Sequence, residues 1–203
     1  MSNRDRIIEE AAMLFRTYGI RSVTMDMLAN QMGISKMTIY EVFQDKDELL
    51  QGVLKWMTEK QREVSSRILN ESENVIEAIF KMLDLMKDHF QNMSPAFLMD
   101  IRKYRHYAFR NMDDKTDIPF IRIHEDIVTN GIKEGIFRED IDVQLINMCL
   151  QEVSRMSNDT DLLKPDDLIR KDVIRNVYIN YLRGISTQKG LDLINFYEKK
   201  QIL

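Results

Sequence analysis

The sequence predicts an all-α protein, and its use of glycine, proline and apolar residues is the basis of that prediction. Only 7 glycines and 3 prolines occur among 203 residues, whereas average proteins contain about 12% of the two together. Sandwiches and barrels need a turn about every 8–12 residues, so this scarcity excludes an all-β fold. No glycine lies between Gly52 and Gly131. Apolar residues recur there at three- and four-residue steps, which indicates long helices.

Composition and cysteine use limit the class of protein further. With 44% hydrophobic and 31% charged residues, the chain is typical of a globular protein and not of a disordered one. Its single cysteine, Cys149, excludes an internal disulfide and a multi-cysteine metal site. Acidic residues near the N-terminus do not fit a signal peptide, and no apolar run approaches the roughly 18 residues of a membrane span. We therefore expect a cytoplasmic protein with no membrane contact.

Helix-start signals lie close together after a first helix predicted over residues 4–18. Thr24 is a candidate N-cap for a helix that ends at Gly33, where a left-handed conformation is favoured. Ser35 is a candidate N-cap for the short helix that follows. Two short helices joined by a glycine-containing turn describe a helix-turn-helix. A plain helical corner in a bundle would show the same elements, so the spacing of further residues has to decide.

Longer helices are predicted for the rest of the chain. Asp45 and Glu48 form a capping-box pattern, which starts a helix over residues 46–69. The later helices are predicted over about 73–92, from Pro95, from Pro119 to Gly131 or Gly135, over about 143–157, and over about 166–183. We expect Gly184 and Gly190 to break the last of these before a short tail. The chain is therefore helical throughout, with a boundary near residues 45–52.

Residues 6–54 resemble a known family in motif order and spacing. The matching features are Phe15 and Gly19 at the end of the first helix, Thr24 with Leu28 and Ala29, GISK at 33–36, TIYEVF at 38–43, and KDELL at 46–50. This stretch resembles the N-terminal DNA-binding domain of the TetR family of transcriptional regulators. A weaker similarity, to the family's turn between two later helices, covers residues 131–142. The resemblance favours a helix-turn-helix over a plain helical corner.

The resemblance implies roles in DNA binding for Thr24, Ser35, Lys36, Met37, Thr38, Tyr40 and Lys46. Tyr40 and Lys46 lie where the family contacts DNA phosphates, and Thr24 begins a helix that approaches the DNA backbone. The three residues after Ser35 lie where the family contacts bases, because a recognition helix presents its N-terminal residues to the major groove. The resemblance therefore implies a double-stranded DNA operator as a partner.

Two unusual residues and the charge balance set limits on this binding. Met37 stands where the family commonly has a small residue, which suggests an apolar contact with a thymine methyl group. Glu41 is a carboxylate that would repel phosphate or accept from a cytosine amino group. Residues 1–52 contain six basic and eight acidic residues, a net charge of −2. We therefore expect weak non-specific affinity, a shallow salt dependence and phosphate binding by helix N-termini.

Residues 1–48 and 49–203 are the predicted domains, and the resemblance implies that the second binds a ligand and forms a homodimer. The expected ligand residues are Trp56, Met86, Phe90, Phe97, Tyr104, Arg105, Tyr107, Phe120 and His124. The apolar residues among them would show the same sequence pattern in a hydrophobic core that binds no ligand. Arg105 belongs to a cationic segment, 102–110, which is either a solvated helix end or the partner of an anionic group on an apolar ligand.

The predicted dimer interface involves the last two long helices, which have broad apolar faces. Its expected residues are Leu150, Val153, Val173, Val177 and Tyr181. A two-fold dimer would place two recognition helices on half-sites one helical turn or a multiple apart. Ligand binding would shift the helix at 46–69 and so release the DNA.

No feature of the sequence supports catalysis, a metal or a cofactor. His89, His106 and His124 are 17 and 18 residues apart, which gives no local ligand motif. Cys149 lies on an apolar helical face and is expected to be a buried structural thiol. The predicted function is a ligand-responsive transcriptional regulator, a repressor released by a small apolar or amphipathic effector. The net charge of −2 and Glu41 leave open a helical dimer that acts through protein contacts, with a non-functional DNA-binding domain.

Overall fold

A computed structural model describes residues 2–91, 93–97, 99–101, 119–146, 148–149 and 177–201, with the backbone alone at 86–91, 119–125 and 201. The helices bounded within these residues are α1 (Asn3–Tyr18), α2 (Met25–Met32), α3 (Lys36–Tyr40), α4 (Lys46–Glu71), α5 (Val75–Gln91), α6 (Pro119–Lys133) and α7 (Gln188–Gln201). Helical turns also occupy residues 95–97, 99–101, 143–146, 148–149 and 177–185. The only β-pairing in this part of the chain is an isolated bridge between Phe137 and Ser186. The predicted all-α class is confirmed.

The short N-terminal helices begin and end at the predicted capping residues. Thr24 Oγ1 accepts a hydrogen bond from the Met27 N–H at 3.1 Å, and Ser35 Oγ accepts one from the Thr38 N–H at 3.0 Å. Gly33 ends α2 with φ +65°, a left-handed conformation that glycine adopts without steric cost. Helix α3 therefore follows α2 through a tight turn, as predicted for a helix-turn-helix.

The start of α4 follows the predicted capping box only in part. Asp45 Oδ1 accepts the Glu48 N–H at 2.8 Å, as predicted. The Glu48 carboxylate, however, accepts the N–H of Gln44 at 2.6 Å and not that of Asp45. Both bonds still satisfy N–H groups that a helix start would leave unpaired. From this cap α4 runs to Glu71, slightly beyond the predicted end at residue 69.

Contacts divide the chain into two compact units. The first unit comprises Met1–Gln61 and Asp88–Lys115, and the second comprises Arg62–Lys87 and Thr116–Leu203. This division differs from the predicted boundary after residue 48, because α4 is one continuous helix. Its first turns place Leu49, Leu50 and Val53 in the hydrophobic core of the first unit. Burying three such side chains stabilises this unit by roughly 1.5–3 kcal/mol each.

The first unit includes a segment that is distant in sequence from α1, residues 93–97 and 99–101, called the docking segment below. The Ser94 N–H donates to the Arg16 carbonyl at 3.0 Å, which satisfies one of the carbonyl groups left open at the end of α1. Ser94 Oγ accepts the Phe97 N–H at 3.2 Å. Phe97 is fully buried in the core that the N-terminal helices form. Packing in this core accounts for Phe97 without a ligand.

The second unit has its own core, to which α5, α6, residues 177–185 and α7 contribute. Its buried members include Val75, Ile76, Ile79, Phe80, Ile127, Ile136, Phe137, Ile179, Leu182 and Ile194. After α6 the chain turns at Gly135, with φ +67°, and brings Phe137 against Gly131. Asp142 Oδ1 then accepts the N–H groups of Gln144 and Leu145, both at 3.0 Å. Asp142 therefore begins a helix, as predicted.

Two expectations for the C-terminal region are wrong. Gly190 lies inside α7, so the tail is a 14-residue helix; a Cβ at Gly190 would lie 2.4 Å from the Ile136 carbonyl oxygen. Glycine is therefore required there by a close backbone approach and not by a helix end, and Gly184 likewise lies within helical residues. Cys149 is exposed, not buried. Leu145, four residues earlier on the same helical face, is also exposed, so this face is left uncovered in a single chain.

Candidate nucleic-acid interface

Helix α3 presents two large side chains to solvent. Met37 is 70% exposed and Tyr40 is 42% exposed, whereas Ile39 is fully buried. Because Ile39 belongs to the hydrophobic core of the first unit, its burial fixes which face of the short helix points outward. An apolar side chain and a phenol, three residues apart, therefore form an outward surface on this unit.

Lys36 has internal partners on the same surface. Its Nζ lies 2.6 Å from Asp26 Oδ2 and 5.9 Å from the centre of the Tyr40 ring, within the range of a cation–π interaction. The hydrogen bond to the Asp26 carboxylate raises the pKa of Lys36 above its usual value. Lys36 is therefore charged at neutral pH, and Asp26 offsets the positive charge that it offers to an anion.

Lys46, at the first position of α4, is half-buried beside the loop between α1 and α2. Its Nζ donates to the Arg21 carbonyl at 3.3 Å. Burial lowers the pKa of Lys46, while the carboxylates of Asp100 and Asp47 act in the opposite direction. The ammonium group is thus held next to the residues that precede Thr24, the N-cap of α2.

The structure places all seven predicted DNA-binding residues in the first unit, but their availability differs. Thr24 and Ser35 use their hydroxyl oxygens as helix caps. Thr38 is half-buried, and its Oγ1 lies 2.9 Å from Ser35 Oγ. Met37 and Tyr40 are the members of the predicted set with large exposed side chains. Among the three residues expected at bases, Met37 and Lys36 are exposed and Thr38 is half-buried.

Two carboxylates that are not among the predicted site residues, Asp26 and Asp100, contact the cations Lys36 and Arg21. Asp26 lies in the first turn of α2, and the close approach of two helix starts in a helix-turn-helix is a signal that could have indicated its pairing with Lys36. Asp100 contacts Arg21, which is 79 residues away in the sequence. No local pattern could have indicated that contact.

The predicted ligand residues are described only in part. Trp56 lines an open groove of about 260 Å³ in the first unit, with Glu9, Ala12, Met13, Arg16 and Thr17 of α1. Ligand pockets usually enclose about 300–1,000 Å³, so this groove is smaller than most. Phe97 is a core residue, as described above. Tyr104, Arg105 and Tyr107, with the side chains of Met86, Phe90, Phe120 and His124, lie outside the described residues.

The predicted dimer residues are likewise covered in part. Val177 is 42% exposed, whereas Tyr181 is partly buried and donates a hydrogen bond from its hydroxyl to the Ile146 carbonyl at 3.3 Å. Burial raises the pKa of Tyr181 to about 12. Leu145 and Met148, which the prediction did not include, are 57% and 63% exposed. Leu150, Val153 and Val173 lie outside the described residues.

Two other kinds of feature are absent from the described residues. No group of three or more His, Cys, Asp or Glu side chains among them could hold a metal ion. In the same part of the chain, no helix is both long enough and apolar enough to cross a membrane.

A buried N-terminal core that exposes one face of a short, capped helix is the arrangement of a helix-turn-helix, a motif that DNA-binding proteins use. Residues 7–53 match the family model of bacterial regulatory proteins, tetR family. The HTH-type transcriptional repressor KstR2 of Mycobacterium tuberculosis (strain ATCC 25618 / H37Rv) is 23% identical over 199 residues, which cover 94% of this chain and 96% of that protein. The predicted resemblance to the TetR family of transcriptional regulators is confirmed over residues 7–53, and the chain is similar along nearly its whole length to an HTH-type transcriptional repressor.

Solved structures share the fold along nearly the whole chain. A TetR transcription regulator from Haloarcula marismortui matches with a TM-score of 0.73 and 20% identity, over 91% of this chain and 98% of that one. A gamma-butyrolactone receptor, described as ArpA-like, matches with a TM-score of 0.66 and 17% identity, over 97% of this chain and 96% of that one. Because both identities are below 25%, the similarity to these structures establishes the fold alone.

Replacing Asp26 with asparagine is expected to tighten DNA binding. The Asp26 carboxylate neutralises Lys36, and Asp26→Asn removes that negative charge from the surface expected to meet DNA. We expect affinity to rise about 3- to 10-fold at low salt, and log K against log salt to become steeper by about 1 per half-site. Fluorescence anisotropy of a labelled duplex across a salt series measures both quantities. Equal affinity and slope in the two proteins would show that Lys36 does not reach phosphate.

Proposed function

We propose that this protein is a homodimeric repressor, released from its operator when a small apolar or amphipathic effector binds the region 49–203. Residues 1–48 contact the DNA in this proposal. The observation that carries it is the capped α3, which exposes Met37 and Tyr40 inside the segment that matches the family model. KstR2, a relative along nearly the full length, is named a repressor, which supports repression over activation.

A dimer is supported by uncovered apolar side chains in the second unit. Leu145 and Met148 are three residues apart and so share a helical face, and both are more than half exposed. Val177 is exposed one turn before Tyr181, and the Tyr181 hydroxyl bonds to the Ile146 carbonyl. The helical segments at 143–146 and 177–185 are therefore neighbours, and both expose apolar side chains. A second copy of the chain would cover such a surface.

An effector is supported by the helical C-terminal region and by α4. The structural relative described as a gamma-butyrolactone receptor is named for a small ligand. Helix α4 begins in the first unit and ends in the second, so a ligand that shifts its later turns would act on Lys46 at its start. Such a ligand must prefer the DNA-free state, because equal affinity for both states shifts nothing. A regulator of this kind meets its operator in the cytoplasm, where we place it.

A second candidate function is a dimer that acts through protein contacts without binding DNA. The observation that favours it is the pairing of cations in the first unit: Lys36 with Asp26 and Arg21 with Asp100. With the net charge of −2 for residues 1–52, this leaves little free positive charge for phosphate. The repressor remains the better supported function, because residues 7–53 match the family model of bacterial regulatory proteins and a relative along nearly the full length is named a repressor.

Selection of bound fragments from genomic DNA tests the two candidates. We expect the purified protein to enrich a two-fold symmetric sequence, and to shift the selected duplex as a dimer whose mass is measured by light scattering. Lys46→Ala should weaken that shift, whereas Lys189→Ala, at an exposed lysine of α7 in the second unit, should leave it unchanged. Failure to enrich any fragment would favour the protein-contact candidate. Equal weakening by both variants would remove Lys46 from the proposed interface.

A further inference from the structure

Asp100 is a nearly buried carboxylate, 7% exposed, that engages Arg21 with both oxygens. Asp100 Oδ2 accepts the backbone N–H of Arg21 at 2.9 Å. Asp100 Oδ1 lies 3.2 Å from Arg21 Nε. Hydrogen bonds in which a partner is ionised are about twice as strong as neutral ones. One side chain of the docking segment therefore fixes both the backbone and the side chain of a residue in the loop between α1 and α2.

Arg21 is also bound on its other side. Its carbonyl accepts the hydrogen bond from Lys46 Nζ at 3.3 Å, so its N–H, its carbonyl and its guanidinium group all have partners. Arg21 lies three residues before Thr24, the N-cap of α2. The position of this loop consequently affects both the ammonium group of Lys46 and the start of α2.

The docking segment is itself held firmly against the end of α1. A Cβ at Gly19 would lie 2.9 Å from Ala96 Cβ and 3.2 Å from Asp100 Oδ2, so the segment approaches the loop as closely as a glycine allows. The Ser94–Arg16 backbone bond and the buried Phe97 ring add two further attachments. Asp100 therefore belongs to a segment that is attached to the end of α1 at several points.

We propose that Asp100 is a positioning residue for DNA binding, which holds the α1–α2 loop, and through it Lys46 and the N-terminus of α2, in the geometry that binds phosphate. The inference rests on the proposed repressor function. The proposal predicts the direction in which DNA affinity changes when Asp100 is neutralised. By its charge alone, a carboxylate beside Arg21 and Lys46 repels phosphate. Neutralising Asp100 would tighten DNA binding if charge were its only effect, and weakens DNA binding if it positions the loop.

The test compares Asp100→Asn, Asp100→Ala and the charge-matched control Asp140→Asn. Asp140 is exposed and pairs with Arg138 in the second unit. Binding is measured by fluorescence anisotropy on the duplex recovered by genomic selection. We expect Asp100→Ala to weaken binding about tenfold and Asp100→Asn about threefold, since the amide oxygen still accepts the Arg21 N–H. The control variant should match the wild type. Unchanged or tighter binding by Asp100→Ala would overturn the inference.

A double-mutant cycle separates positioning from general destabilisation. If Asp100 acts through Lys46, Lys46→Ala should weaken binding less in the Asp100→Ala background than in the wild type. Thermal unfolding of each variant checks that the protein is folded at the assay temperature. Fully additive losses would overturn the inference, because they would indicate independent effects. Absence of DNA binding by the wild type overturns the repressor function itself, and is thereby distinguished from failure of the inference alone.

Discussion

Tyr40→Ala is expected to weaken operator binding by about 100-fold. Tyr40 is exposed on α3, and the family resemblance implies that its hydroxyl contacts a phosphate. A hydrogen bond to a charged group contributes about 1.5 kcal/mol, and a dimer makes the contact twice. The loss of about 3 kcal/mol corresponds to about two factors of ten in affinity. Anisotropy titration of the selected duplex measures this change.

Two further variants identify the part of Tyr40 that matters. Tyr40→Phe removes only the hydroxyl and should account for most of the loss, whereas Phe196→Ala, at an aromatic residue 58% exposed in the second unit, should have no effect. The salt slope should stay unchanged in Tyr40→Ala, because the phenol carries no charge, and should fall by about 1 per half-site in Lys46→Ala. Wild-type affinity in Tyr40→Phe would mean that the ring, and not a phosphate bond, carries the contribution.

The sequence predicts the helix-turn-helix well because its determinants are local. Thr24 and Ser35 each cap a helix through an N–H three residues later, and Gly33 adopts the left-handed conformation that ends α2. Each of these features depends on at most six consecutive residues. A pattern of this length specifies its own backbone geometry, so capping residues and a turn glycine locate the elements before any tertiary contact is known.

The features that the sequence does not predict depend on packing between distant segments. The Asp100–Arg21 contact spans 79 residues, and Gly190 is required because Ile136, 54 positions earlier, approaches its backbone. Cys149 was expected to be buried because its helical face is apolar, but an apolar face at a subunit boundary has the same pattern. Apolar periodicity indicates that a face is covered without indicating which chain covers it.

The acidic residues of the first unit include two carboxylates that pair with its cations. Asp26 and Asp100 lie beside the cations Lys36 and Arg21, so two of the acids lie next to cations of the first unit. Both carboxylates reduce the charge available for non-specific attraction. They differ in burial, since the Asp26 side chain is 63% exposed and that of Asp100 is 10% exposed. The exposed Asp26 carboxylate can separate from Lys36 when an anion approaches. The buried Asp100 carboxylate instead holds Arg21 in place.

Gly131→Ala is expected to destabilise the second unit strongly. A Cβ at this position would lie 2.2 Å from Phe137 Cδ2, and the Phe137 ring is 1% exposed in the core. The backbone cannot move apart easily, because the Gly131 carbonyl accepts hydrogen bonds from the N–H groups of Ile136 at 2.8 Å and Phe137 at 3.0 Å. Overpacking costs about 3 kcal/mol, and the better helix propensity of alanine offsets about 1 kcal/mol.

The net loss of about 2 kcal/mol should lower the Tm by about 4–8 °C for a chain of this size. Gly184→Ala is the matched control, because Gly184 is also helical but a Cβ there meets nothing within 4 Å. That variant should raise the Tm by about 2–4 °C through helix propensity alone. Calorimetry of both variants separates packing from propensity, since the same Gly→Ala change is made twice. A Gly131→Ala protein as stable as Gly184→Ala would show that Phe137 does not pack on Gly131.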